Sequence, residues 1–430
     1  VRLVIVASNW PFPGHTVRAA NVVVFELTRA LAAQPGMTIG FLKVGVGLEG
    51  EPGPDAEELA GLAALAEAGV DILPEIVLPM RTTQGSPFAK LLNPKPEHFY
   101  PYVDHDGGAI ARTLASWNAD ALMVPWSEWL TAACSTVPVL KFAYYGNPDH
   151  KAGYMRTLHD RRLNGWSLGY VRLRLGLSRL EQVHNEIMRR YEVLGDVAAN
   201  DAEYYARRGH PNAFYIQNVW IDRFGERWRE RRRALEQATP LVIIGNVGKL
   251  GGTANRYGLD YLGREVLPEL RKRMAPGTFR IEILGSGELE PGIRTPLEGP
   301  DVVFRGFVPD IDEAMLAAHV FLCTNNATPF KVGHTRYLHA WTLGSCVVAH
   351  RDVSLSMPEI RHEENALLGR DASDIADLIV RAGQDQALRN RIGSAGWETY
   401  LTSFRAETVA GYIVERLRHR SGCGELRHNG

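Results

Sequence analysis

Cysteine is scarce. The chain has four in 430 residues, Cys134, Cys323, Cys346 and Cys423, far apart and without any C-x-x-C or Cys/His spacing. That argues against a disulfide framework and against a structural zinc site, and it fits a cytosolic setting. Two of the four lie in apolar strand-like runs, where a thiol serves as a small hydrophobe. Long apolar runs are also missing. Nothing approaches the roughly 18 uncharged apolar residues that a membrane span needs. Leu3–Ala7 is too short for a signal peptide and is closed by Asn9-Trp10-Pro11. No sign of charge dominates: 48 Lys and Arg against 49 Asp and Glu leave a net charge of −1, so nothing global points to nucleic acid. There is no G-x-G-x-x-G, which leaves a dinucleotide fingerprint unsupported. No pair of carboxylates of the hydrolase kind stands out.

What is present is an alternation of strands and helices, twice over. Val1–Ala7 reads as a strand buried on both faces, Ser8–Thr16 as a Gly/Pro loop, Val17–Ala33 as a helix and Met37–Val46 as a second strand, a βαβ opening. Helices are expected at 57–68, 110–117 and 128–134, and strands at 70–77, 121–125 and 137–144. Residues 79–101, rich in proline and polar residues, read as an irregular insertion. The charged run 223–234 reads as a connector, and a second alternation starts at Leu241–Gly245. There Leu259–Arg273 reads as one helix that Pro268 bends. The pattern argues for two α/β domains with a cleft between them.

The most informative stretch is Asn325–Glu359. Phe321–Cys323 ends a strand, and a polar loop runs to Lys331. Gly333 then opens a helix bearing Tyr337, Leu338 and Trp341, Gly344 stops it, and Cys346–Ala349 is a buried strand. A helix that starts just after the C-terminal end of a parallel strand offers free N–H groups to an anion. This stretch resembles the donor-binding segment of family-4 retaining glycosyltransferases, E-G-F-G-L-x-x-x-E-A-x-A-x-G-x-P-V-V-A followed by Pro-Glu. Lys331-Val332-Gly333-His334-Thr335 stands at the E-G-F-G-L loop and His339-Ala340 at the second E-A. Gly344, Val347-Val348-Ala349 and Pro358-Glu359 match. Both glutamates of the E-x(7)-E pair are replaced, by Lys331 and His339.

The resemblance implies a GT-B fold of two Rossmann-like α/β domains facing across a cleft. Residues 1–222 would take the acceptor and 223–403 the nucleotide sugar, with 404–430 a helix crossing back towards the first domain, plus a tail. It implies transfer of a sugar from a nucleoside-diphosphate sugar to an acceptor hydroxyl or amine, with retention. No metal or other cofactor and no nucleic acid are implied. The alternatives are other sugar-nucleotide chemistry, such as epimerisation or pseudo-glycosyl transfer, and a non-catalytic binder. Arginine outnumbers lysine, as in GC-rich bacterial genomes.

By the same resemblance the diphosphate would meet a basic pair, for which Lys249 and Arg256 are the nearest matches. The N–H groups of Val332, Gly333, His334 and Thr335 would face it, with Lys331 and Arg336 as further cations. Gly285 and Gly287 fall at the turn under the nucleotide, Phe307 near the base, and Glu359 at the Pro-Glu. Glu359 or Asn325 could take contacts that the lost glutamates made. In the first domain Gly14 and His15 would line the cleft; the plainer reading of His15 is an exposed loop histidine. Relatives carry a histidine at the end of the strand that here ends in Tyr144 or Tyr145, next to the reacting centre. His150 comes later, and Asp149 with His150 reads either as a substrate-contacting pair or as an N-P-D turn. Residues 155–190 are rich in arginine with interleaved Leu, Trp and Tyr, in a helical pair broken near Gly165 or Gly169. Arg stems over apolar surface is the first reading; contact with an anionic membrane is the second.

Overall fold

The computed structural model describes residues 1–12, 19–47, 54–79, 86–100, 108–235, 240–327, 331–332 and 335–425. The chain divides into two compact units. Unit 1 comprises Val1–Thr157, Trp166–Val219 and Ala406–Gly430; unit 2 comprises Leu158–Gly165 and Trp220–Arg405. The division therefore falls at 219/220, and a short excursion at 158–165, which nothing in the sequence signals, counts with unit 2.

Unit 1 holds strands β1 (Arg2–Ala7), β2 (Thr38–Gly47), β3 (Asp71–Ile72), β4 (Ile76–Pro79), β5 (Ala121–Pro125), β6 (Leu140–Tyr145), β7 (Val193–Asp196) and β8 (Ala213–Tyr215). Between them run α1 (Ala19–Ala32), α2 (Ala56–Glu67), α3 (Pro87–Leu92), α4 (Gly108–Ser116), α5 (Glu128–Cys134), α6 (Asp149–Asn164), α7 (Leu168–Met188) and α8 (Ala199–Arg207). All pairings are parallel, in the order β3-β2-β1-β5-β6-β7-β8, with β4 beside β2. Leu3, Val4, Ile5 and Val6 are wholly buried, as a parallel strand covered on both faces requires. The core gathers Val4, Val6, Leu122, Val124 and Leu194 from the sheet with Leu114, Leu130 and Ile187 from helices.

Unit 2 holds β9 (Leu241–Val247), β10 (Phe279–Leu284), β11 (Val302–Gly306), β12 (Val320–Cys323), β13 (Cys346–His350) and β14 (Leu367–Gly369), again all parallel, ordered β11-β10-β9-β12-β13-β14. Its helices are α9 (Trp228–Leu235), α10 (Thr253–Tyr261), α11 (Leu267–Arg273), α12 (Pro291–Arg294), α13 (Ile311–Ala317), α14 (Thr335–Thr342), α15 (Ala372–Gln384) and α16 (Gln386–Ser403). The last helix, α17 (Ala406–Glu425), returns to unit 1 and packs on α1. No helix among the described residues is long and apolar enough to cross a membrane.

Two local expectations are corrected, and a third, the break near Gly165 or Gly169, is borne out. The single helix at 259–273 is α10, a π turn at Leu262–Val266, and α11. Pro268 sits in the first turn of α11, where its missing N–H costs nothing, so the wider turn before it takes up the distortion. The insertion at 79–101 contains α3, capped by the Ser86 hydroxyl, which accepts from the Ala89 N–H. The basic stretch breaks at Gly165, whose φ of +77° favours glycine, and α7 restarts with Ser167 as its cap.

Candidate functional site

A doubly wound sheet opens a crevice where the strand order reverses. In unit 2 that place lies between β9 and β12, so the segments after Val247 and after Cys323 flank it. The β9 end is rigidly built. The Asn246 side-chain amide donates to the carbonyls of Gly248 (3.2 Å) and Leu284 (3.1 Å), joining the ends of β9 and β10. The Leu250 N–H donates to Ser286 O at 3.0 Å, and the Gly285 N–H to Gly306 O at 2.8 Å. Gly285 has a φ of +146°, and a Cβ there would lie 1.9 Å from the Gly248 carbonyl oxygen. Only glycine lets the two loops meet this closely. Asn255 extends the bracing: its amide donates to Lys249 O at 2.6 Å and its carbonyl accepts from Asn325 at 3.0 Å.

Cations are unevenly placed around this loop. Lys249 is exposed, and its ammonium has no partner among the described residues. Arg336, in the first turn of α14, is half-buried. Its guanidinium reaches to within 3.8 Å of where a Gly248 Cβ would be, beside the Cys323 thiol. It has no hydrogen bond or ion pair among the described residues, and burial lowers its pKa from the usual arginine value. Arg256, the expected partner of Lys249, is buried in α10 and paired, with Glu290 at 2.5 Å and Asp160 at 3.8 Å. Spacing brought Arg256 near the right loop, but its charge is already met by carboxylates.

The two positions where the family motif carries glutamate have gained carboxylates from elsewhere. Lys331 donates to Asp352 at 2.6 Å and to Asn326 O at 2.9 Å. Asp352 stays part-exposed. Burial works to raise its pKa, but the hydrogen bond and charge of the Lys331 ammonium outweigh it and hold the carboxyl below its usual value. His339 is buried, with Nε2 at 2.5 Å from an Asp312 oxygen and its ring 5.3 Å from that of Trp220. Val332 is pinned by Asn326, whose carbonyl accepts its N–H at 3.1 Å. Thr335 begins α14, Phe307 is exposed after β11, Gly287 has a φ of +100°, and Glu359 is half-buried. Asn325 is buried against Gly258 and Asn255, where it braces the interior. Gly14, His15, Gly333 and His334 lie outside the described residues.

Tyr145, Asp149 and His150 come together, but deep in unit 1 and one strand away from its switch point between β1 and β5. Asp149 accepts from Tyr145 and from Tyr100 (2.5 Å) and lies 3.1 Å from His184 Nδ1. Burial pushes its pKa up, but His184 and the two hydroxyls together bring it below the usual carboxylate value. His184 Nε2 in turn meets Tyr205 at 2.8 Å. Burial drives His150 down to about 4. This is an interior polar network. The switch point of unit 1 carries a residue that sequence reading missed: Trp126, just past β5, with a φ of +44° and an indole N–H buried without a partner among the described residues. The only signal in the sequence was a tryptophan directly after a strand-ending Pro125; its strain is visible only in the structure. Asp352 was missed too; only its proximity to Lys331 in space reveals it.

A cavity of about 1100 Å³ in unit 2 lies beside β13 and β14 among Arg351, Asp352, Arg361, Arg370 and Asp374; none of the donor residues expected from the sequence lines it, but Asp352, the partner of Lys331, does. Strand order, and cations without a partner among the described residues, mark the crevice between β9 and β12. Among the described residues no group of three or more His, Cys, Asp or Glu is placed to hold a metal.

Two parallel α/β units with these switch points define a two-domain, Rossmann-like GT-B fold. Residues 242–385, about a third of the chain, match the family model described as glycosyl transferases group 1. No curated protein matches the chain in sequence. Among solved structures it is similar to Anabaena Alr3699/HepE in complex with UDP, with TM-score 0.60, 14% identity, and 97% of this chain and 100% of that chain covered. It is also similar to a glycosyltransferase from Rickettsia africae, with TM-score 0.58, 12% identity, and 96% and 97% covered. Staphylococcus aureus TarM, solved as a point mutant with fondaparinux, α-GlcNAc-glycerol and UDP, gives TM-score 0.54 and 13% identity over 74% of this chain and 59% of that chain.

Proposed function

We propose that the protein transfers a sugar from a nucleoside-diphosphate sugar to an acceptor hydroxyl, with unit 2 holding the donor. The observation that carries the reading is the Arg336 guanidinium, half-buried against Gly248 at the switch point with no acceptor among the described residues. A cation kept out of water without a carboxylate is costly unless a ligand supplies the anion. With Lys249 and the α14 start it would stabilise the charge that grows on the departing diphosphate. The group 1 family match over residues 242–385 supports the same reaction class. Asp352, fixed by Lys331, is offered as the carboxylate that orients donor-sugar hydroxyls. Retention follows from the family resemblance, with the acceptor proton passing to the leaving phosphate.

The test is a panel of UDP-, GDP- and dTDP-linked sugars read by thermal shift, since donor binding stabilises the fold by mass action. The best binder is then assayed for turnover with sugar acceptors, and the product anomer is read by NMR. A donor that raises the melting temperature and yields a glycoside is expected. A flat panel overturns the proposal.

A further inference from the structure

Apolar side chains left in water are ordinary when scattered and informative when gathered. Among the described residues twelve large apolar side chains are exposed, and seven of them fall on α3 and on the segment from Trp166 to Leu175. Phe88 and Leu92 on α3 are 75% and 80% exposed, and Trp166 and Leu168 are 71% and 89% exposed. Helices α3 and α7 pack together, and a groove of about 960 Å³ between them is floored by Phe99, Leu177 and Leu180.

The helix α7 is built in two halves. From Leu177 onward it buries Val183, Ile187 and Met188 in the core. Before that, its outward stripe is Leu168, Val171, Arg172, Leu175 and Arg179, spaced at three, four, seven and eleven residues on one face. No acidic residue occurs from Leu168 to Leu180, and none of Arg172, Arg174 and Arg179 pairs with a carboxylate among the described residues. The Arg174 guanidinium lies over the Tyr154 ring at 4.2 Å. In a solvated helix, arginine stems cover apolar neighbours; here the leucines stand uncovered between the guanidinia.

We propose that this face of unit 1 docks on an anionic lipid bilayer, with the α3 and early α7 apolar side chains entering the headgroup boundary and Arg172 and Arg179 meeting lipid phosphates. The charge complementarity is specific: the patch offers cations and hydrocarbon with no acidic residue in the exposed half of α7. That is the composition of an interfacial helix. The docking is independent of donor binding, since none of its residues belongs to the switch-point loops of unit 2.

The experiment uses the full chain and reads binding, not turnover. Co-sedimentation is measured with vesicles of phosphatidylglycerol and phosphatidylcholine and with pure phosphatidylcholine, at low and high salt. Two paired variants on the outward stripe are compared, L168E with L175E, and R172Q with R179Q, of which Leu168, Arg172 and Leu175 are exposed and Arg179 is part-buried. The expected result is sedimentation with anionic vesicles that weakens with salt, at least tenfold weaker partition for each paired variant, and little binding to pure phosphatidylcholine. Failure of the wild-type chain to sediment with anionic vesicles at low salt overturns the proposal, as does equal binding by the variants. A wild-type dimer in light scattering that L168E with L175E converts to monomer also overturns it, assigning the patch to a second copy.

Discussion

Replacing Arg336 by methionine separates a binding role from a structural one because the two predict opposite signs. Arg336 makes no hydrogen bond or ion pair among the described residues, and burial already disfavours its charge. Removing it therefore breaks no hydrogen bond or ion pair among the described residues and relieves a desolvated cation. Methionine follows the aliphatic stem and stops short of the guanidinium, so the exchange removes the charge and frees room at its tip near Gly248. The melting temperature of the ligand-free variant is expected to stay level or rise. Nucleotide affinity should move the other way. A charge-assisted hydrogen bond to phosphate contributes about 1.5–3 kcal/mol. At about 1.4 kcal/mol per decade, Kd should rise roughly ten- to a hundred-fold. Calorimetric titration with the nucleoside diphosphate of the best donor and thermal melts without ligand measure the two quantities. Unchanged Kd in the folded variant refutes the assignment. So does a melting temperature that falls by several degrees without ligand, which would make Arg336 a structural residue.

Asp352→Asn is expected to lower kcat/KM for the sugar nucleotide by about tenfold or more while the Kd for free nucleoside diphosphate stays within about twofold, because only the sugar would touch that carboxylate; equal losses in both would refute the role. His150 gives a pH signature: its pKa falls from 6.5 to about 4 on folding, so the stability it contributes is full above pH 6.5 and is lost as the pH falls towards 4. By linkage the loss is at most about 3 kcal/mol, and denaturant melts of His150→Gln should show a flatter profile across that window. Arg256→Ala should destabilise unit 2, leaving Glu290 and Asp160 without their cation, and any loss of turnover should recover in Arg256→Lys; full turnover with an unchanged melting temperature would refute this. His339→Glu would bring a second carboxylate against buried Asp312 and should cost about 3–5 kcal/mol, read by chemical denaturation; a variant as stable as the parent would show that the pair is dispensable.

The architecture was legible because parallel strands covered on both faces leave continuous apolar runs, as at Leu3–Val6 and Leu241–Ile244. Glycines and prolines punctuate those runs. The Asn325–Glu359 stretch announced a loop, helix and strand for the same reason. What the sequence could not show is which charges neutralise each other. Arg256 meets Glu290 across 34 positions, and His339 meets Asp312 across 27. Neither separation leaves a periodic trace in the sequence. Asp149 and His150 read either as a substrate-contacting pair or as a polar turn, because they end a strand and N-P-D is turn chemistry. The chain instead tucks them under Tyr100, Tyr145 and His184, a choice made by tertiary packing. The leucines of early α7 read first as apolar surface under arginine stems and second as a membrane-contacting face, and their exposure favours the second.

The same limit shapes how the replaced glutamates are understood. Taken singly, a lysine and a histidine in place of two carboxylates look like a lost donor site. In space each base has a carboxylate beside it, Asp352 at Lys331 and Asp312 at His339, so the local charge balance is rearranged rather than inverted. The two rearrangements are not equivalent. Asp352 keeps about a third of its side chain in solvent, and an oxygen there can still accept from a sugar hydroxyl. Asp312 is buried and is also 3.4 Å from Arg223, which leaves its oxygens committed within the protein. With His339 Nε2 tied to it, neither is well placed to grip a ribose. Discrimination should therefore be retained for the sugar and relaxed for the 2′-hydroxyl of the nucleotide, and a panel that includes dTDP-linked donors beside UDP- and GDP-linked ones reads both at once.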